Sequence, residues 1–201
     1  MKGTKRLQML SESQTLALTK LVRQLQAEGK DVVGLTLGEP DFDTPDHIRA
    51  AAIAAINEGF THYTPVAGIP ALRQAIAAVY KPHGADYAAA NVVVSNGAKQ
   101  SVVNVVMSLL DPEDEVIIPV PYWVSYIEIF KMAEAHVVEV QTTLDNGYKM
   151  TAAQLEAAIT PKTKMLLLNS PNNPTGGMYS REEAAALVAV LERYPEIILV
   201  S

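Results

Sequence analysis

From Asn91 onward the chain repeats one pattern: a short run of Val, Ile and Leu, a segment with helical spacing, then another apolar run. The runs are Asn91 to Ser95, Glu115 to Pro119, His136 to Gln141, Lys164 to Asn169 and Ile197 to Ser201, each rich in strand-favouring residues. Nearly continuous apolar strands are buried on both faces, and helices between them act as crossovers. The pattern therefore predicts an α/β fold with a mostly parallel sheet covered by helices. Two helix starts are written out as capping boxes, Thr151-Ala152-Ala153-Gln154 and Ser180-Arg181-Glu182-Glu183. A length of 201 residues with 49% hydrophobic content is enough for such a core.

Before this region the pattern is helical. Leu18, Leu21, Val22 and Leu25 share one face of a helix spanning Leu16 to Leu25, with Ser13 as its N-cap and Gly29 as its stop. An apolar run from Val32 to Leu37 leads into Gly38-Glu39-Pro40-Asp41-Phe42-Asp43-Thr44-Pro45. There Thr44 is expected to cap a helix opening at Pro45 and ending near Gly59. The loop from Tyr63 to Pro70 enters another helix carrying Leu72, Ile76 and Val79 on one side. The composition shift at Gly38 to Pro45 separates an N-terminal arm, residues 1–44, from the main domain, 45–201.

Several function classes are disfavoured by composition. A net charge of −6 without a basic run argues against nucleic acid, and no apolar stretch is long enough to span a bilayer. The absence of cysteine excludes disulfides and thiolate metal sites, and the polar Ser11-Glu12-Ser13-Gln14 stands where a signal peptide needs its apolar core. A cytoplasmic chain is expected. The four histidines, His47, His62, His83 and His136, lack a paired ligand spacing, so no metal site is expected.

Three positions carry candidate chemistry. After the run ending at Ser95, Asn96-Gly97-Ala98-Lys99-Gln100 opens a helix with small residues, which lets backbone N–H groups approach a phosphate, although the glycine spacing is that of neither a P-loop nor a dinucleotide fingerprint. Trp123, in Pro121-Tyr122-Trp123-Val124-Ser125-Tyr126, follows the next strand; it is either a core aromatic or a surface on which a planar ring can stack. Asn169-Ser170-Pro171-Asn172-Asn173-Pro174-Thr175-Gly176 follows the fourth run. It reads as an ordinary strand-to-helix turn or as a rigid loop presenting amides to a ligand at the sheet edge.

Together with the segments Gly38 to Pro45 and Tyr63 to Pro70, these motifs in this order resemble the class I aminotransferases, fold-type I pyridoxal-phosphate (PLP) enzymes. The resemblance runs from end to end. It is strongest to the bacterial aspartate aminotransferases of the branch that includes prephenate aminotransferases. It implies PLP as cofactor, with Gly97, Ala98 and Lys99 holding the phosphate through their amides, Trp123 stacking on the pyridine ring and Asn173 bonding the phenolic oxygen. It implies that Tyr63 reaches the phosphate of the neighbouring subunit in a homodimer with shared active sites. Gly38 would close over the substrate α-carboxylate, and Lys99 would help pair the distal carboxylate of a dicarboxylic substrate. Substrate contacts are thus expected at Gly38, Lys99, Trp123 and Asn173. The peptide bonds Val120-Pro121 and Asn173-Pro174 are expected to be cis.

The implied activity is transfer of an amino group between an amino acid, aspartate above all, and a 2-oxo acid, with 2-oxoglutarate foremost and prephenate as a further acceptor. Residues 1–44 would be the arm and a small-domain segment, and 45–201 the N-terminal part of an incomplete PLP-binding large domain. The family's cofactor-binding lysine, its pyridine-nitrogen aspartate and its α-carboxylate arginine would all lie beyond Ser201. The 201 residues alone are therefore expected to be inactive, with the Asn91 to Ser95 strand left with an open edge and exposed apolar surface. The alternatives are a fold-type I PLP lyase, an inactive fragment, or a non-catalytic binding domain.

Overall fold

Alternation of side chains across a strand explains the central sheet. In β1 (Glu115–Val120), Val116 and Ile118 point to one face and Ile117 to the other, and all three are fully buried. The computed structural model describes residues 3–11, 14–35 and 38–201. The chain divides into two units, one holding the N-terminal segment and Val102–Ser201, the other Gln14–Ser101.

In the first unit, β1 is joined by β2 (His136–Gln141), β3 (Thr163–Leu167) and β4 (Ile198–Val200) in a parallel sheet of order β2-β1-β3-β4. Val116 and Ile118 pack with Met165 and Leu167 of β3 against Phe130 and Val106. On the opposite face, Ile117 and Leu166 pack against Leu155, Leu187 and Val190. The first face is covered by α5 (Ala98–Leu109), whose part from Val102 lies in this unit, and by α6 (Ser125–Met132). The second is covered by α7 (Ala152–Ala158) and α8 (Arg181–Leu191). The result is a helix–sheet–helix sandwich, as the apolar runs predict.

The connection from β1 to β2 uses α6 on one face, whereas those from β2 to β3 and from β3 to β4 use α7 and α8 on the other. Strand order consequently reverses between β1 and β3. Both capping boxes form: Thr151 Oγ1 accepts from Gln154 N and Ser180 Oγ from Glu183 N, each at 3.2 Å. Near the start of the chain, α1 (Lys5–Met9) lies against α6, with Arg6 paired to Glu134 at 3.1 Å and Ser11 N–H donating to Glu128 at 2.8 Å.

The second unit holds α2 (Gln14–Ala27), α3 (Asp46–Asn57) and α4 (Pro70–Tyr80). Gly29, at φ 80°, ends the first of these as expected, while the proposed cap Ser13 lies outside the described residues. Two expectations are corrected. Pro45, not Thr44, is the N-cap of α3: its ψ of 141° is extended, so it cannot be the first helical residue, and its carbonyl accepts from Ile48 N and Arg49 N. Asn91 to Ser95 is not a strand among the described residues. A strand exists only by pairing, and here Val94 N donates to the Ala67 carbonyl while the Val92 carbonyl accepts from Arg73 Nε. Val93 is exposed, and α3 buries no residue, leaving Ile48, Ile53 and Ile56 on the surface.

Candidate functional site

The carboxyl ends of β1 and β3 meet the condition for a ligand crevice in an open α/β sheet, since this is where strand order reverses. The ladder itself opens there. β1 stays paired with β2 through Val120, but with β3 only through Ile117 and Leu166. Val120 O accepts from Thr142 Oγ1, beyond β2, at 2.5 Å. Backbone groups alternate sides along a strand, so the neighbouring Pro119 faces β3, and as a proline it has no N–H to give.

Trp123 lies just beyond β1 and Asn173 beyond β3, so the reversal point is flanked by two of the residues picked out from sequence. Trp123 is half-buried, with its ring edge-to-face against Tyr126 at 5.3 Å and 89°, leaving the indole partly accessible to a flat partner. Asn173 is exposed. Its N–H donates to Asn169 Oδ1 at 3.0 Å, and its side-chain amide makes no hydrogen bond among the described residues. The Val120-Pro121 and Asn173-Pro174 bonds are both cis, as expected, and Ser170-Pro171 is cis as well.

Two side chains brace these loops. Asn172 Nδ2 donates to the Pro121 carbonyl and to Thr175 Oγ1, each at 3.0 Å. Tyr122 OH donates to the Glu139 carboxylate on β2. Burial raises the Tyr122 phenol above its ordinary value, and the hydrogen bond to Glu139 adds in the same direction. Neither Asn172 nor Tyr122 is singled out by sequence, because both act on partners distant in the chain.

In the second unit, Gly97 has φ 82°, which glycine adopts freely, and the space where a Cβ would stand is open for 4 Å. It immediately precedes α5, and the first amides of a helix lack intrahelical carbonyl partners. A twelve-residue helix opening at Ala98 and Lys99 behind a glycine turn offers the donor set an anionic phosphate needs. In the first unit, a half-buried indole and an exposed amide suit a planar ring bearing an anionic oxygen, and each of the two residue sets, by its own chemistry, is of the kind PLP requires. Gly38 and Tyr63 both lie in exposed loops of this unit. Among the described residues no group of His, Asp and Glu could hold a metal ion, and no helix is long and apolar enough to cross a membrane.

Comparison with known proteins gives a consistent result. An aspartate/prephenate aminotransferase of Nitrosomonas europaea is 49% identical over 200 residues, covering 99% of this chain and 50% of the relative. The crystal structure of the aspartate aminotransferase from Rhizobium meliloti superposes with a TM-score of 0.95 at 42% identity, covering 99% of this chain and 50% of that one. The Thermus thermophilus aspartate aminotransferase with maleate superposes at 0.94, also at 42% identity, covering 98% and 52%. The chain thus spans about half the length of the relatives it matches. The family model for aminotransferase class I and II matches residues 30–201, and the chain belongs to that family.

Proposed function

We propose that the full-length protein transfers an amino group between aspartate and a 2-oxo acid, 2-oxoglutarate first, with PLP as cofactor. The observation that carries the reading is the flanking of the strand-order reversal by Trp123 after β1 and Asn173 after β3. When bound, PLP supplies the electron sink that lets the amino group leave one carbon skeleton for another.

The roles fall to residues of suitable chemistry. Trp123 offers an aromatic face to the pyridine ring, and Asn173 Nδ2 donates to the phenolic oxygen. Amides at Gly97, Ala98 and Lys99 bind the phosphate, whose charge favours a helix N-terminus. The Lys99 ammonium also suits the distal carboxylate of a dicarboxylic substrate. Maleate, held by the Thermus thermophilus relative, is itself a dicarboxylate. Gly38 closes over the α-carboxylate, and Tyr63 reaches the phosphate of the second subunit of a homodimer. The exposure of the whole Tyr63 ring supports a role outside its own chain. Residues 45–201 are read as part of the PLP-binding large domain and 1–44 as the arm with a small-domain segment. The absence of cysteine fits a cytoplasmic protein.

The test is made on the full-length protein. Trp123→Ala should weaken PLP roughly threefold to tenfold, the value of aromatic stacking. Asn173→Ala should raise the pH midpoint of the bound cofactor's absorbance, because the anionic oxygen loses a donor. Unchanged affinity in the first variant and an unchanged midpoint in the second would overturn the assignment.

A further inference from the structure

Two adjacent asparagines, Asn172 and Asn173, follow β3, and the structure uses them differently. Asn173 leaves its side-chain amide exposed and without a partner among the described residues. Asn172 is half-buried and occupied. Its Nδ2 has two hydrogens, and both are used: one toward the Pro121 carbonyl, 51 residues earlier, and one toward Thr175 Oγ1. Its backbone N–H donates to the Gly177 carbonyl, and its carbonyl accepts from Gly176 N, both at 2.8 Å. Thr175 Oγ1 in turn accepts from Gly177 N at 3.1 Å. The loop is closed around this one residue.

The bond to Pro121 crosses the place where the sheet is open. Backbone pairing between β1 and β3 has ended at Ile117 and Leu166, so the sheet no longer fixes the distance between their outgoing loops. Pro121 lies two residues before Trp123, and Asn172 one before Asn173. The side-chain hydrogen bond from Asn172 to the Pro121 carbonyl therefore spans the gap where the ladder has ended, between the loops that carry the two groups read as cofactor contacts. The β2 side of the same segment is held independently, by Thr142 on Val120 and by Glu139 on Tyr122. Asn172 supplies the brace on the β3 side.

We propose that Asn172 is a positioning residue that sets Trp123 and Asn173 at a fixed separation for the cofactor ring, through its hydrogen bonds to the Pro121 carbonyl and Thr175 Oγ1. The inference rests on the cofactor reading given above. Its test uses the full-length holoenzyme, with PLP affinity measured by absorbance titration and the pH midpoint of the bound cofactor recorded for each variant. Asn172→Ala should weaken PLP roughly threefold to tenfold, as misplacing the stacked ring would, and raise the midpoint in the same direction as Asn173→Ala. In a Trp123→Ala/Asn173→Ala background the same substitution should have almost no effect on affinity, since the groups it positions are gone. Asn172→Asp, which keeps the volume but loses the donor, should behave like the alanine variant and serves if that variant folds poorly.

An undiminished loss in the double-variant background would show that Asn172 acts on the fold alone and overturn the proposal. Normal affinity in Asn172→Ala and Asn172→Asp, beside weakened Trp123→Ala and Asn173→Ala, would overturn it as well. If Trp123→Ala and Asn173→Ala themselves leave the cofactor unaffected, the cofactor reading falls first and takes the positioning role with it.

Discussion

Gly97→Ala separates a backbone requirement from a binding requirement at the start of α5. Gly97 has φ 82°, so an alanine there costs about 1–2 kcal/mol of stability from the left-handed backbone alone. The added Cβ meets nothing within 4 Å, so no packing penalty joins that cost. Gly68 is the internal control. Its φ of 101° carries a comparable penalty, but a Cβ there would stand 2.5 Å from Val94 Cγ2 and 2.8 Å from Val94 Cβ, a clash with a stiff β-branched side chain. With overpacking added, Gly68→Ala should cost about 2–5 kcal/mol. In urea melts of the apo full-length protein, Gly97→Ala should thus be the milder variant. In PLP titrations it should be the more damaging one, because a turn that shifts to relieve alanine's left-handed backbone moves the α5 amides with which the phosphate would close its hydrogen bonds. Loss of one charge-assisted bond is worth about 1.5–3 kcal/mol, roughly a tenfold to hundredfold weakening. If Gly97→Ala bound PLP as tightly as the parent while showing its stability loss, the phosphate does not sit at this turn.

Two further outcomes concern stability. Ser180→Ala removes the hydroxyl that accepts from Glu183 N and should cost about 1 kcal/mol in a urea melt; a change under a few tenths would mean that the capping box does not hold α8. Tyr122→Phe tests the brace on β2: the phenol's value is raised in the folded state, so its contribution is intact below the ordinary value of 10.0 and is lost as pH rises above it. The parent should therefore lose stability above that pH relative to Tyr122→Phe, and parallel stability curves for the two proteins through the alkaline range would refute the hydrogen bond's role.

What could be read from sequence is what residues decide locally. Thr151 and Ser180 specify their helix starts through partners three positions away, and both boxes form. β1 and β2 could be read because Val, Ile and Leu in a short run suit a strand whatever its neighbours, and His136–Gln141 matches the expected span. Asn91 to Ser95 has the same composition and is no strand among the described residues, because pairing is a property of two segments; here the Val94 N–H goes to the Ala67 carbonyl and the Val92 carbonyl to Arg73 Nε. Pro45 shows the same limit at smaller scale: a threonine before a proline is a good cap by residue type, yet the backbone at Pro45 starts the helix one residue later.

The same distinction governs the site. Trp123 and Asn173 stand out in the sequence because an aromatic and an amide after apolar strands are recognisable types. Asn172 does not, because nothing local separates it from its neighbour. Both are asparagines in a proline-rich turn, equally able to cap, to bond a ligand or to bond backbone. Their roles diverge only through the Pro121 carbonyl, which strand order brings beside β3's exit, and through the end of pairing beyond Ile117. Pro119 links these two conditions: by offering no N–H toward β3 it helps end the ladder, and the gap so left is one that a side-chain amide, unlike a strand, can bridge while the adjacent residue stays exposed to a ligand.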